Sequence, residues 1–183
     1  MILLKRMLLI HWYRFIHEMV LFKGVNFLTG QNAIGKSTLI DAMQVVMLGE
    51  PNGGFFNKAA NDSSNRTLEG YLRCELGDDG ADGLSYLRPG RFTSHLAMEF
   101  YDDKRKAYVT LGAVFECFET EKTQYWFYIA PLEIPSHEWI KHTKGAQVPY
   151  TWRETKQTLE SDAKAYGNSG KLYFPQSNMD RLH

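Results

Sequence analysis

The stretch VNFLTGQNAIGKSTLIDAMQVVMLG, residues 25–49, decides the fold class. Its apolar start, 25–28, predicts a short β-strand, and residues 36–48 predict an α-helix that ends at Gly49. Between these two elements, residues 30–37 match the pattern G-x-x-x-x-G-K-[ST]. A glycine-rich loop between a strand and the N-terminus of a helix is the P-loop arrangement, which binds nucleotide phosphates. The stretch therefore predicts an α/β fold of the P-loop NTPase type.

Each fixed position of this loop has a physical role in holding phosphate. Glycine lets the backbone bring its N–H groups close to a β-phosphate, Lys36 supplies positive charge to the β- and γ-phosphates, and Ser37 offers its hydroxyl to Mg²⁺. The helix that begins at Lys36 directs the positive end of its dipole at the same anion. We therefore expect ATP and Mg²⁺ as cofactors, held by Gly30, Gln31, Asn32, Ala33, Ile34, Gly35, Lys36, Ser37 and Thr38.

The segments around the loop predict how it is supported. Apolar residues cover most of the circumference of 36–48, so we expect a helix that is buried on all sides. Two further apolar runs, 7–10 and 19–22, predict two strands ahead of the strand at 25–28.

The hydrophobic period changes to two after residue 90. Alternation in 93–101, 108–118 and 124–130, with polar turns between them, predicts an antiparallel meander. We expect this meander to form a separate sheet beside a nucleotide-binding lobe built from 1–48 and 172–176.

The remaining segments complete the predicted organisation. Residues 131–150 show no regular pattern, and Thr151 with Glu154 forms a capping box for a helix that runs to about residue 166. We divide the chain into a P-loop lobe at 1–90, an antiparallel β subdomain at 91–150, and a final part at 151–183.

Composition and charge exclude several classes of protein. The 21 basic and 21 acidic residues give a formal net charge of zero, which argues against a strongly basic nucleic-acid binder. Two cysteines without metal-ligand spacing are typical of a reducing compartment. The N-terminus lacks the unbroken apolar run of a secretory signal, and no stretch is long enough to span a membrane. We expect a cytoplasmic location.

Two further strings look like nucleotide-binding motifs but lack a required feature. Residues 142–146 lack the aspartate that a GTPase uses to read the guanine base. Residues 96–103, LAMEFYDD, look like a Walker B strand. Such a strand is central and parallel, so it should be apolar on both faces, but Glu99 and His95 interrupt this one. The alternation and the charged turn at its end favour one arm of a hairpin.

The strings at 8–15 and 25–49 resemble the N-terminal half of an SMC-type head, the ABC-type ATPase of condensins and break-repair complexes. Within that group the chain is most similar to the SMC-like subunit of Wadjet anti-plasmid systems, the JetC family, with its MksF and MukB relatives. The strings NRTLEGY, YLRPGRFTS and FPQSN carry this finer resemblance, at 65–71, 86–94 and 174–178. Ala33 departs from the pattern, because many SMC heads have glycine there.

The resemblance implies roles for further residues. Gln176 matches the Q-loop glutamine that contacts Mg²⁺ and the attacking water, so Lys36 and Gln176 are the implied catalytic residues and Ser37 and Gln176 the implied metal ligands. Arg66 is a candidate to reach the nucleotide or DNA, and Arg14 is a candidate to approach the nucleotide, with solvated surface charge as the alternative for both. Trp12 and Tyr13 are expected to pack in the core rather than stack on adenine. The basic turn 104–106 is expected to be solvated, with contact to DNA phosphates as the alternative.

The resemblance also implies what this stretch lacks. We find no signature motif and no apolar strand that ends in Asp-Glu, and in ABC-type heads both lie beyond a coiled coil, in the second half of the protein. The implied partners are that C-terminal half-head, a second head, a kleisin-type subunit, and DNA through the assembled complex, with no membrane. Without the metal-binding and water-positioning carboxylates, we expect no hydrolysis by these residues alone.

Two other functions stay open. A small-molecule kinase would use the P-loop to hold ATP for transfer to a metabolite, but it would need a lid with arginines, and 84–150 has the pattern of a sheet. A non-catalytic interaction module would carry a vestigial P-loop, although Lys36 and Ser37 are both intact.

Overall fold

The structure is a computed structural model and describes residues 1–30, 35–51, 56, 67–76, 86–165 and 172–174. Seven strands and three helices lie within these ranges. In chain order they are β1 (Ile2–Trp12), β2 (Phe15–Leu21), α1 (Lys36–Leu48), α2 (Leu68–Arg73), β3 (Phe92–Asp102), β4 (Ala107–Cys117), β5 (Gln124–Ala130), β6 (Ile140–Thr143), β7 (Ala146–Pro149) and α3 (Trp152–Ala165).

One antiparallel sheet of five strands, in the order β2-β1-β3-β4-β5, forms the centre of the molecule. The predicted meander is confirmed as β3, β4 and β5. The expectation of a separate sheet is wrong, because β1 pairs directly with β3, with Met7 opposite Met98 and Leu9 opposite Leu96. The physical reason is that 7–10 is fully buried on both faces, and a central strand needs a neighbour at each edge.

The two faces of the sheet bury different residues. Met7 and Leu9 point to the face that α1 and α2 cover, while Leu8 and Ile10 point to the face that α3 and the segment after β5 cover. The P-loop helix and α3 therefore lie on opposite sides of one sheet. The division of the chain at residues 90 and 150 stays a prediction.

Helix α1 begins and ends as the sequence predicts. Gly49 takes a left-handed conformation at φ 61°, and its N–H donates to the Val45 carbonyl at 3.0 Å. Burial on all sides is not found among the described residues. Leu39 and Val45 pack on the sheet, but Met47 and Leu48 are 54% and 55% exposed.

The strand predicted at 25–28 is also absent from the described residues. The segment forms neither helix nor strand, and Val25 and Phe27 are 76% and 85% exposed. A lone strand leaves its backbone groups unpaired and its apolar side chains in water, so it needs a sheet to join. No strand in the described ranges pairs with this segment.

The segment before α3 is more regular than predicted. β6 and β7 pair as a hairpin through Lys144 and Gly145, which have φ of 50° and 81°. Positive φ at both central positions is the turn geometry that matches the twist of a hairpin. The capping box is confirmed, since Glu154 Oε2 accepts from the Thr151 N–H at 2.8 Å and Thr151 Oγ1 accepts from the Glu154 N–H at 3.3 Å.

Two further findings concern the sheet edge and the membrane. Tyr173 forms two backbone hydrogen bonds with Ile129, so residues 172–174 join the β5 edge of the sheet through a single bridge. Among the residues described, no helix has the length and hydropathy that a membrane crossing requires.

Candidate functional site

The two glycines that the P-loop pattern fixes have the backbone conformation that requires glycine. Gly30 has φ of 145° and Gly35 has φ of 101°. A side chain at either position would be strained, because L residues rarely adopt these angles. A Cβ built on Gly35 would also lie 3.4 Å from Cζ of Phe15, so β2 packs closely against the end of the loop.

The side chain of Lys36 reaches back across the loop. Its Nζ donates to the carbonyl of Gly30 at 2.5 Å, which joins the first and last parts of the motif. The ammonium group therefore lies beside the first glycine of the motif, where a phosphate oxygen would replace the carbonyl as its partner. This is the placement that the motif predicts for a lysine that binds β- and γ-phosphates.

The N-terminus of α1 is electrostatically suited to an anion. No acidic residue lies in its first turn, and among the described residues no side chain caps it. The first N–H groups of a helix have no partner within the helix, and together with the dipole they favour negative charge. Ser37 is half-buried in this first turn. These residues therefore fit a nucleotide phosphate, and the role of the Ser37 hydroxyl as a ligand for Mg²⁺ stays a prediction.

Trp12 supports the start of α1 from the core. It is fully buried, and its Nε1 donates to the carbonyl of Thr38 at 3.0 Å. The prediction that Trp12 packs in the core is confirmed, and it is not available to stack on adenine. The side chain of Thr38 is itself buried, so its contribution to the site comes from the backbone.

Arg14 lies in the exposed turn between β1 and β2. Its guanidinium carbon is 5.9 Å from the centroid of the Tyr13 ring. The next residue, Phe15, is the one that packs at Gly35, so this turn lies beside the P-loop. Contact between Arg14 and a nucleotide stays a prediction. Tyr13 is half-buried and packs against the core on this side of the sheet, as predicted.

Six of the predicted site residues lie outside the described residues. They are Gln31, Asn32, Ala33, Ile34, Arg66 and Gln176. Their assigned roles in phosphate, nucleotide and metal binding stay predictions.

The carboxylates of β3 take part in structural contacts. Glu99 is 2% exposed and accepts from Arg6 Nε at 2.7 Å, from Arg6 Nη2 at 2.6 Å and from the Ile134 N–H at 2.8 Å. β3 runs antiparallel to both of its neighbours, so the interpretation of 96–103 as a hairpin arm is confirmed. The hydrogen bonds of Glu99 also raise the pKa of Arg6.

The basic turn after β3 is largely compensated by its own acids. Lys106 Nζ lies 2.7 Å from Asp103, and Arg105 lies 3.7 Å from Asp102. Asp102 also accepts the N–H of Lys104 at 2.9 Å. All of these contacts are local to the turn, which favours a solvated turn at 104–106. Contact of this turn with DNA phosphates stays a prediction.

Sequence reasoning missed three residues that surround the site. Phe15 packs against Gly35, and the Tyr71 hydroxyl donates to the carboxylate of Asp41 in α1. Asp41 carried a signal, because a buried helix with a lone carboxylate needs a polar partner for it. Tyr71 and Phe15 carried none, since their contacts join segments far apart in sequence.

A family model matches the N-terminal part of the chain. The P-loop containing region of AAA domain matches residues 4–63, about a third of the 183-residue chain. No curated protein matches the chain. In the part of the chain that the structure describes, no group of His, Cys, Asp and Glu residues is arranged to hold a metal ion on its own. The family match and the loop geometry together indicate a nucleotide-binding domain of the P-loop NTPase type.

Proposed function

We propose that this chain is the ATP-binding half of an SMC-type head and that it works within a condensin-like complex that translocates DNA. In this proposal a C-terminal half-head supplies the signature motif and the Walker B carboxylates, and a second head closes over the nucleotide. A kleisin-type subunit joins the heads, and DNA is contacted by the assembly. The strings at 65–71, 86–94 and 174–178 favour a Wadjet-type role in plasmid defence over general chromosome organisation.

The observation that carries the proposal is the set of apolar side chains left exposed in the two segments that flank the P-loop. Val25, Phe27 and Leu28 are 76%, 85% and 44% exposed, and Ile40, Met47 and Leu48 of α1 are 38%, 54% and 55% exposed. We name these six residues the open face. P-loop domains place the strand before the loop inside a sheet that is covered on both faces. Such a domain leaves the residues of the open face exposed when the neighbouring strands of its sheet belong to another segment or to another chain.

The described residues supply phosphate binding but no group for the chemistry on water. Lys36 neutralises phosphate charge, and the N-terminus of α1 donates hydrogen bonds to it. Bound Mg²⁺ would neutralise charge on the β- and γ-phosphate oxygens next to Ser37. Asp41 is fully buried and accepts from Tyr71, and Glu99 is paired with Arg6, so neither carboxylate is placed to orient an attacking water. Gln176 is the proposed contact to that water on this half.

Nucleotide binding by residues 1–183 tests the first step of the proposal. We expect isothermal titration calorimetry to show weak binding of Mg·ATP, because half of a composite site lacks the groups that close over the γ-phosphate. Lys36→Ala should abolish this binding. Lys104→Ala is the matched control, since it removes an exposed lysine from the distant β3–β4 turn.

Two outcomes would contradict the assignment. Equal affinities of wild type and Lys36→Ala would show that the P-loop does not hold the nucleotide. A wild type that binds no ATP at millimolar concentration would favour a vestigial loop in an interaction module.

A further inference from the structure

Helix α1 lies on the sheet through apolar side chains, which do not by themselves fix its rotation. Leu39, Ala42 and Val45 form the buried face. Apolar contact is non-directional, whereas a binding site needs its groups held within about 0.5 Å. Directional bonds to α1 therefore decide where Lys36 and Ser37 stand.

Two such bonds reach the first turns of α1 from a pair of aromatic residues. Trp12 Nε1 donates to the Thr38 carbonyl at 3.0 Å, and the Tyr71 hydroxyl donates to the Asp41 carboxylate. The rings of Trp12 and Tyr71 are stacked, with centroids 4.7 Å apart and planes at 16°. We name Trp12 and Tyr71 the aromatic clamp.

The aromatic clamp is itself fixed by backbone hydrogen bonds. The N–H of Tyr13 donates to the Tyr71 carbonyl at 2.6 Å. Arg88 Nη2 donates to the carbonyl of Tyr13 at 2.6 Å and to that of Tyr71 at 3.2 Å. The β1–β2 turn and the end of α2 are thereby held together, so the clamp is a rigid support rather than two independent side chains.

We infer that Tyr71 is a positioning residue for the phosphate site. Its hydroxyl, acting through Asp41, sets the rotation of α1 on the sheet and with it the positions of Lys36 and Ser37. Tyr71 does not touch the nucleotide. The inference rests on the proposed nucleotide binding and adds to it the residue that orders the binding helix.

Tyr71→Phe tests this inference, because it removes the hydroxyl and keeps the ring that stacks on Trp12. We expect the Kd for Mg·ATP to rise roughly three- to tenfold, the factor that loss of one hydrogen bond gives. The same factor should appear with tripolyphosphate, since the effect acts on the phosphate-binding groups. Tyr128→Phe is the matched control, because Tyr128 is also buried but lies on the opposite face of the sheet.

A second variant separates positioning from general stability. In an Asp41→Asn background, Tyr71→Phe should raise the Kd for Mg·ATP by a smaller factor, because an amide oxygen accepts a hydrogen bond from the hydroxyl less strongly than a carboxylate does. Should Tyr71→Phe not fold, Asp41→Asn alone provides the test, with a raised Kd and a cooperative unfolding transition as the expected result.

Each remaining outcome is decisive. An unchanged Kd in the folded variants, or the same rise in Tyr128→Phe, would overturn the inference while leaving the proposed function intact. Equal Kd values for Mg·ATP in the wild type and in Lys36→Ala would instead refute the proposed function.

Discussion

Glu99 shows how a single residue can imitate part of a functional motif. Glu99 lies in a string that looks like a Walker B strand, but its carboxylate makes a two-bond ion pair with Arg6 across β1 and β3. It also holds Ile134 at the start of the loop after β5. The residue therefore ties β1 and β3 to the segment after β5 and stabilises the fold.

Glu99→Gln should destabilise the protein without changing nucleotide affinity. Breaking a fully buried ion pair costs about 3–5 kcal/mol, and because the Arg6 side chain is 27% exposed we expect about 2 kcal/mol. Urea unfolding measures the loss, and calorimetry measures the affinity for Mg·ATP. Glu133→Gln is the control, since Glu133 is 57% exposed and 3.6 Å from the same arginine. Unchanged stability with lost binding would instead show that Glu99 acts in the nucleotide site.

His95 should make stability depend on pH. Complete burial lowers its pKa to about 4, although the hydrogen bond to the Tyr150 carbonyl opposes this shift. The unfolded chain takes up the proton near pH 6.5, so between about 6.5 and 4 the unfolded state binds more protons and stability falls as pH falls, by about 1.4 kcal/mol per pH unit. The free energy of unfolding, measured with urea at several pH values in this range, should change with pH along a shallower slope in His95→Gln. His142→Gln, at an exposed position of β6, should keep the wild-type slope.

At the scale of elements, the pairing of β4 with β5 depends on one glycine. Gly112 lies opposite Tyr128, whose ring covers it, and a Cβ at Gly112 would lie 2.1 Å from Cζ of that ring. Tyr128 is only 1% exposed, so it has no free space into which it can move. The small residue therefore makes room for a large one in the core on the α3 side.

Gly112→Ala should destabilise the sheet by about 1–3 kcal/mol, the usual cost of overpacking a core. Gly24→Ala is the control, because no atom lies within 4 Å of a Cβ built there. Thermal unfolding monitored by circular dichroism compares the two variants. Equal midpoints would contradict the close packing of Tyr128 on Gly112.

At the scale of the whole molecule, both faces of the sheet carry a buried core, but only the side of the P-loop also has the exposed apolar residues of the open face. α3 and the segment after β5 cover Leu8 and Ile10. On the side of the P-loop, α1 covers Met7 and Leu9 but leaves its own outer surface exposed. This asymmetry is why we assign binding to these residues and turnover to a larger assembly.

Residues 1–183 should show no ATPase activity above background, and Gln176→Ala should leave that unchanged. Loss of one transition-state group typically costs about 2.7–4 kcal/mol, and the proposal assigns at least two such groups to the other half-head. Addition of a C-terminal half-head with its signature motif should restore phosphate release. Phe27→Ser should weaken the association of the two half-heads, because Phe27 belongs to the open face. Robust hydrolysis by residues 1–183 alone, abolished by Lys36→Ala, would refute the division of labour.

Local signals in the sequence determined the parts of this protein that depend on neighbouring residues. The glycines at 30 and 35, the helix from Lys36 to Leu48 and the capping box of α3 were all predictable, because dihedral limits and hydrogen bonds within a few residues enforce them. The meander was predictable because its alternation has the period of a strand. Nucleotide binding follows from the same local motif.

Only the tertiary structure decided how these parts combine. β1 joins the meander rather than a separate lobe, residues 25–28 stay outside the sheet, and Arg6 finds Glu99 at a separation of 93 residues. Periodicity says which face of a strand is apolar, but it does not say which other strand will pair with it, since many strands offer equivalent backbone groups. The choice depends on the burial that each arrangement achieves, and that is a property of the whole chain.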